Sequence, residues 1–236
     1  MRNLLVSTFL TLDGVMQAPG APEEDPSGGF EQGGWSVNYW DDVMGAAMTE
    51  SFSTPFDLLL GRKTYEIFAA HWPHVSDEQR DERGGTASDV DDDAAMTLNS
   101  ARKYVASRTL DKVEWNNSTL LEGDVAEAVA ELKAQEGPDI VVQGSSDLIQ
   151  TLLEHELVDE LRIWTFPVVV GPGKRLFGTG TMPCGLQLVD SRTSTTGVLM
   201  ATYKRAGDID HGSFAFEDPT AEEVERRSRI AEEENG

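Results

Sequence analysis

Four short corners of this chain stand at the ends of β-type runs, and three of them draw on the glycine, hydroxyl and cationic residues that an anion site uses. Gly61-Arg62-Lys63-Thr64 follows the apolar run Phe56 to Leu60 and opens a helical pattern carrying Tyr65, Phe68, Ala69 and Trp72. Cations at a helix N-terminus oppose its dipole, a placement that an anion bound there would reverse. The plain alternative is that Arg62 and Lys63 simply reach solvent. Ser107-Arg108-Thr109 ends a second β-type run, Lys103 to Ser107. Gly144-Ser145-Ser146 lies between Ile140-Val141-Val142 and another helical pattern, where free amides suit a phosphate and a tight turn equally needs small residues. Asp13-Gly14 marks the turn that closes the first run, Asn3 to Leu10.

Such corners need strands that end at them and helices that leave from them. After Gly144, leucine and isoleucine recur from Leu148 to Leu161 at four-residue steps, an apolar stripe for which Asp147 is the expected N-cap. With a further apolar run from Leu161 to Val170, this gives a strand–turn–helix–strand unit and predicts a crossover in a parallel sheet. Residues 17–34 read as loop. A helix is predicted from Val37 to Phe52, with Trp40, Met44, Met48 and Phe52 on its apolar face. Asp41 falls at the margin of that face, either as an acid at a pocket edge or as a solvated residue stabilised by the helix start. Residues 73–93 read as an excursion without regular structure. Trp115 to Leu121 reads as a strand, Asp124 as the cap of a helix that Gly137-Pro138 stops, and 171–177 as a glycine-rich corner. Leu186 to Ser194 and Val198 to Lys204 read as antiparallel strands. The expectation is one α/β domain over residues 1–205, with a mixed sheet and flanking helices, followed by an acidic tail at 206–236.

Composition narrows the function classes. A net charge of −23 argues against nucleic acid and anionic membrane as partners, since both repel it. Much of that charge lies in two stretches, 77–93 and the tail, which read as solvated. The lone Cys184 excludes an intrachain disulfide and fits a reducing compartment, with cytoplasm as the default. Of four histidines only His71 and His74 are close, and Trp72-Pro73 between them breaks helical spacing, so a metal site is not expected.

In order and spacing the four corners resemble those of the dihydrofolate-reductase-like superfamily. The phrases LLGRKTYE, KYVASRTL, GGWSVNYWDD and VVQGSSDLIQTLLEHELVDELRIWTFPVVVGPGKRLF resemble more closely the stand-alone relatives of the reductase domain of bacterial riboflavin biosynthesis. The resemblance spans about Arg2 to Lys204. It implies a three-layer fold binding NADPH across the strand ends. Gly61, Arg62, Lys63 and Thr64 then match the corner for the pyrophosphate and 2′-phosphate, and Ser107 and Arg108 match a second 2′-phosphate corner. Gly144, Ser145 and Ser146 match the turn over the pyrophosphate, where Ser145 replaces a frequent second glycine. Asp13 and Gly14 match the loop beside nicotinamide and substrate, and Asp41 matches the protonating acid by position. A guanidinium with a nearby hydroxyl suits a ribose 2′-phosphate.

The resemblance thus implies an NADPH-dependent reductase acting on a C=N or C=O bond of a small, heterocyclic substrate, pterin-like or related to a deaminated pyrimidine such as a phosphoribosylamino-uracil. It also implies a homodimer. The competing reading is a nucleotide-binding module without turnover, a sensor or interaction protein.

Overall fold

The protein is described here from a computed structural model, which covers residues 1–75, 88–178 and 181–234, with the backbone alone at 88–93 and 234. Its strands are β1 (Leu4–Thr11), β2 (Phe56–Gly61), β3 (Lys103–Ala106), β4 (Ser118–Leu120), β5 (Asp139–Gln143), β6 (Glu160–Phe166), β7 (Leu186–Thr193) and β8 (Leu199–Arg205). They form one sheet in the order β4-β3-β2-β5-β1-β6-β8-β7. The pairings from β4 to β6 are parallel, whereas β6-β8 and β8-β7 are antiparallel. The sheet is therefore mixed and mostly parallel.

Six α-helices are described: α1 (Asp42–Phe52), α2 (Arg62–His71), α3 (Ser88–Ser100), α4 (Val125–Ala134), α5 (Ser146–Glu154) and α6 (Ala221–Glu234). Strands covered on both faces read as unbroken apolar runs, and their alternate residues separate the layers. Leu59, Ile140 and Val142 pack with α4 and α5, through Val129, Ile149 and Leu152 among others. Leu58, Leu60 and Val141 face the other way, toward Tyr65 of α2 and Leu98 of α3. A third cluster gathers Val15, Trp35, Met44, Phe166 and Met200 beneath α1.

A buried ion pair fastens the start of the chain. Arg2 Nη2 lies 2.5 Å from Asp57 Oδ2 of β2, and Arg2 Nε donates to the Pro138 carbonyl at the entry to β5. One side chain thereby ties β1, β2 and β5 together. Lys103, fully buried, donates to the carbonyls of Asn99, Ala101 and Asn116 and lies over the Trp115 ring. Asn99 also donates to the Trp72 carbonyl. These bonds hold the C-terminal end of α3 against β3 and the end of α2.

Several expectations are corrected. The helix predicted from Val37 is a 3₁₀ turn at Val37–Tyr39 and a separate α1. Trp40 between them is extended, and Asp41 is the N-cap of α1, accepting from the Met44 amide. The propensity of the segment was right, but the cap decides where the helix begins. Residues 88–93 of the excursion are the first half of α3, and 76–87 lie outside the described residues. Ser145, not Asp147, holds the cap position of α5. The crossover in a parallel sheet is found as expected: β5 and β6 run parallel in one sheet with β1 between them. The tail carries α6, exposed at every described position except the half-buried Glu223. Asp124 caps α4 as expected, accepting from the amides of Ala126 and Glu127.

Candidate active site

One cleft of about 1210 Å³ runs along the C-terminal ends of the parallel strands, where open α/β sheets hold their ligands. It brings together the three corners with candidate anion-binding residues. Gly61, Arg62, Lys63 and Thr64, then Ser107 and Arg108, then Gly144, Ser145 and Ser146 all line it. They meet because β3, β2 and β5 are adjacent and in register, so three turns far apart in sequence open side by side. β1 outlasts β5: its last pair with β5 is Ser7–Gln143, while pairing with β6 continues to Thr11–Phe166. Past Ser7 the strand has β6 on one side, and Ser7, Thr8 and Phe9 line the cleft.

Ser145 stitches two of the corners together. Its φ of 67° is left-handed, like the 80° of Gly144 before it. Its hydroxyl accepts from the Gly61 amide at 2.9 Å and donates to Thr64 Oγ1 at 2.6 Å. The side chain that replaces glycine is thus turned into the β2–α2 corner. That packing leaves no room on Gly61, where an added Cβ would sit 2.8 Å from Ser145 Cβ. Gly61→Ala is expected to cost about 1–3 kcal/mol by overpacking, and adding Ser145→Gly should raise the melting temperature of that variant. A double variant that melts no higher than Gly61→Ala would contradict this contact.

The loop before α1 closes over the anion corner through charge. Asp25 accepts from Lys174 and from Ser27, and Lys63 reaches both Ser27 Oγ (2.9 Å) and Asp25 Oδ1 (3.4 Å). Burial opposes ionisation of Asp25, but the bonds from Lys174 and Ser27 outweigh it and hold the carboxyl at about 2. A folded-state value below the ordinary 3.8 means that this network contributes fully above about pH 4 and is lost as pH falls toward 2. Asp25→Asn is expected to flatten the acid limb of the stability profile in that window. An unchanged limb would show that Asp25 carries no such linkage. Arg62 pairs along α2 with Glu66 at 3.0 Å. Arg108 is exposed and has no carboxylate partner among the described residues.

The two candidate acids stand differently. Asp41 lies at the cleft, but its carboxylate accepts from the Met44 amide and from both the amide and hydroxyl of Thr195. The Thr195 hydroxyl foremost, against slight burial, keeps its pKa below the usual carboxylate value. Asp13 is not among the residues lining the cleft. It accepts from Thr11 Oγ1 and from the amides of Val170 and Gly171, and the Thr11 bond leads in holding its pKa low. Both are ionised acceptors that tie loops down, poor sources of a proton. Glu24, which no motif or periodicity marks out, does line the cleft. Burial pushes its carboxyl up despite bonds from the amides of Gly20 and Ala21.

Away from the cations, the cleft is walled by aromatic rings. Phe9 stacks on Trp164 at 5.3 Å and meets the edge of Trp40 at 5.9 Å. Trp40 is 38% exposed, a large ring left open to the cleft. The space continues between α1, α2 and α3, where Met48, Phe52, Ile67, Phe68, Trp72 and Leu98 line it.

The comparisons with known proteins fit this geometry. The profile of the RibD C-terminal domain matches residues 2–200. The chain belongs to the RibD C-terminal domain family. Among curated proteins it is 28% identical over 202 residues to the uncharacterized protein YyaP of Bacillus subtilis, covering 86% of this chain and 94% of YyaP. A protein of Shewanella sp. PV-4 assigned to riboflavin biosynthesis superposes with a TM-score of 0.56 at 21% identity, covering 87% of this chain and 99% of that one. Dihydrofolate reductase of Enterococcus faecalis, solved with NADP(H) and RAB-propyl, gives 0.50 at 16% identity, covering 86% and 96%. At such identities the solved structures establish the fold alone, which is dihydrofolate-reductase-like. Membership of the RibD C-terminal family places the chain among reductases.

Proposed function

We propose that this chain is an NADPH-dependent reductase that passes hydride to a C=N or C=O bond of a small planar substrate. The observation that carries the proposal is the convergence of three anion-suited corners on one cleft whose other end is aromatic. In an acidic protein, a cation held in a cleft without a carboxylate partner among the described residues, as Arg108 is, has reason to be there if an anion comes to it. Arg62, Arg108 and Ser107 would take the 2′-phosphate. Lys63, Thr64 and the amides after Gly144 would take the pyrophosphate at the N-termini of α2 and α5. The nicotinamide would then lie along β1 past Ser7.

Bound there, the reduced cofactor would supply a hydride to the substrate carbon, and the residues of this chain would hold the two partners in place. The substrate nitrogen or oxygen would then need one proton, which a carboxyl of this chain would supply. Glu24 is the carboxyl proposed to supply that proton, in place of Asp41. The test follows deuterium from 4-deuterated NADPH into product across a screen of cyclic imines and carbonyl heterocycles. Transfer to carbon supports the reading. Bound NADPH that no substrate oxidises would favour a nucleotide-binding module instead, a reading that the engagement of both Asp13 and Asp41 would then serve.

The partner is proposed to be a second copy of the chain. β7 is exposed at all eight residues, and Leu186, Leu188 and Val189 are each more than 40% exposed. Twice the chain mass in light scattering is the expected outcome, and the monomer mass the contrary one. No described helix is long and apolar enough to cross a membrane.

A further inference from the structure

We infer that the substrate of this cleft carries no phosphate or carboxylate, and is instead a flat ring, neutral or cationic, with an apolar substituent. The inference rests on the reductase reading and names the substrate class for it. Among the described residues, every cation lining the cleft, namely Arg62, Lys63, Arg108 and Lys174, belongs to the anion corner or to the Asp25 network beside it. The remaining walls offer the opposite charge. Asp41 and Asp42 stand at the start of α1, and no Lys or Arg lines the space between α1, α2 and α3 among the described residues. An anionic group there would meet uncompensated negative charge.

What those walls do offer is apolar surface of two shapes. Trp40 and Phe9 present an open ring and a stacked one, with Trp164 behind, which suits a planar heterocycle. Beyond them Met48, Phe52, Ile67, Phe68 and Trp72, none fully buried, surround unfilled space. Apolar side chains left bordering a cavity gain from an apolar guest that completes their contacts. Asn99 and Lys103, the polar groups behind this arm, are already engaged: Lys103 donates to the Asn99 carbonyl, while the Asn99 side chain donates to the Trp72 carbonyl and accepts from the Trp115 indole, and neither residue is among those lining the arm.

The test uses the full chain and two matched series of cyclic imines, with binding measured by calorimetry with and without NADPH. The first is 3,4-dihydroisoquinoline bearing methyl, ethyl or propyl groups; the second carries a carboxylate at the end of the same chain. A phosphoribosylamino-uracil is the phosphorylated comparison. Affinity should rise about fourfold per methylene in the first series, and the carboxylated and phosphorylated compounds should bind roughly ten- to a hundredfold more weakly. Thr49→Arg, on the exposed side of the arm, should bring the carboxylated series to within about threefold of the neutral one. Tighter binding of the anionic compounds, a flat response to chain length, or no binding of either series to wild type would each overturn the inference. The nucleotide is titrated separately, so a chain that fails to bind NADPH but follows the methylene series would refute the reductase reading and leave the apolar arm standing.

Discussion

Asp57→Ala is expected to lower the unfolding free energy by about 3–5 kcal/mol, the cost of leaving a buried charge without its partner. The Arg2 guanidinium is almost wholly buried, and its remaining contacts are the Pro138 carbonyl and a distant Tyr104 ring. Neither replaces a carboxylate at 2.5 Å. The same pair removed from both sides should cost much less, because two apolar groups of similar volume need no mutual satisfaction. Arg2→Met with Asp57→Leu is therefore expected to recover most of the loss. Urea unfolding of the three variants measures it. A single variant within about 1 kcal/mol of wild type would mean that water or another group reaches Arg2, contrary to the burial described.

The second large effect falls on the cofactor. Arg62→Ala with Arg108→Ala is expected to weaken NADPH binding on the order of a hundredfold, since each removes a charged hydrogen-bond donor worth about 1.5–3 kcal/mol. NADH, which lacks the 2′-phosphate, should bind within about threefold of wild type. Arg62 is the weaker member, because it is partly exposed and already paired with Glu66. Arg108→Ala alone should thus account for more of the loss than Arg62→Ala alone. Equal weakening toward both nucleotides would move these arginines from the 2′-phosphate to the pyrophosphate.

The sequence carried the strands and the corners further than it carried the helix boundaries and the acids. β2 and β5 are apolar on both faces because the sheet is buried on both sides, so Phe56 to Leu60 and Ile140 to Val142 declared themselves. The corners were legible for the same reason: a strand that must end leaves a glycine and a change of polarity. Asp41 was placed on a helix by periodicity, yet it precedes that helix, and its partner Thr195 lies 154 residues away. No local pattern reports such a contact. α3 was hidden by charge, since Asp89 to Asp93 reads as solvated loop and the apolar anchors Ala94, Ala95 and Leu98 come only afterwards. Glu24 was hidden by its loop, whose order rests on Trp35 bonding the Gln17 carbonyl and on Asp25 bonding Lys174. The role of Ser145 could be raised from sequence but not decided. A serine in place of glycine obstructs or assists according to where its hydroxyl turns, and here it turns to Gly61 and Thr64.

The central claim is that this cleft is built for the phosphates of NADPH. It is tested most directly by the ratio of the dissociation constants of NADH and NADPH for the wild-type chain, measured by calorimetry at one fixed ionic strength. The account predicts that NADPH binds more tightly by on the order of tenfold or more, with the gap narrowing as salt is raised. Equal constants, or no heat with either nucleotide, would contradict it.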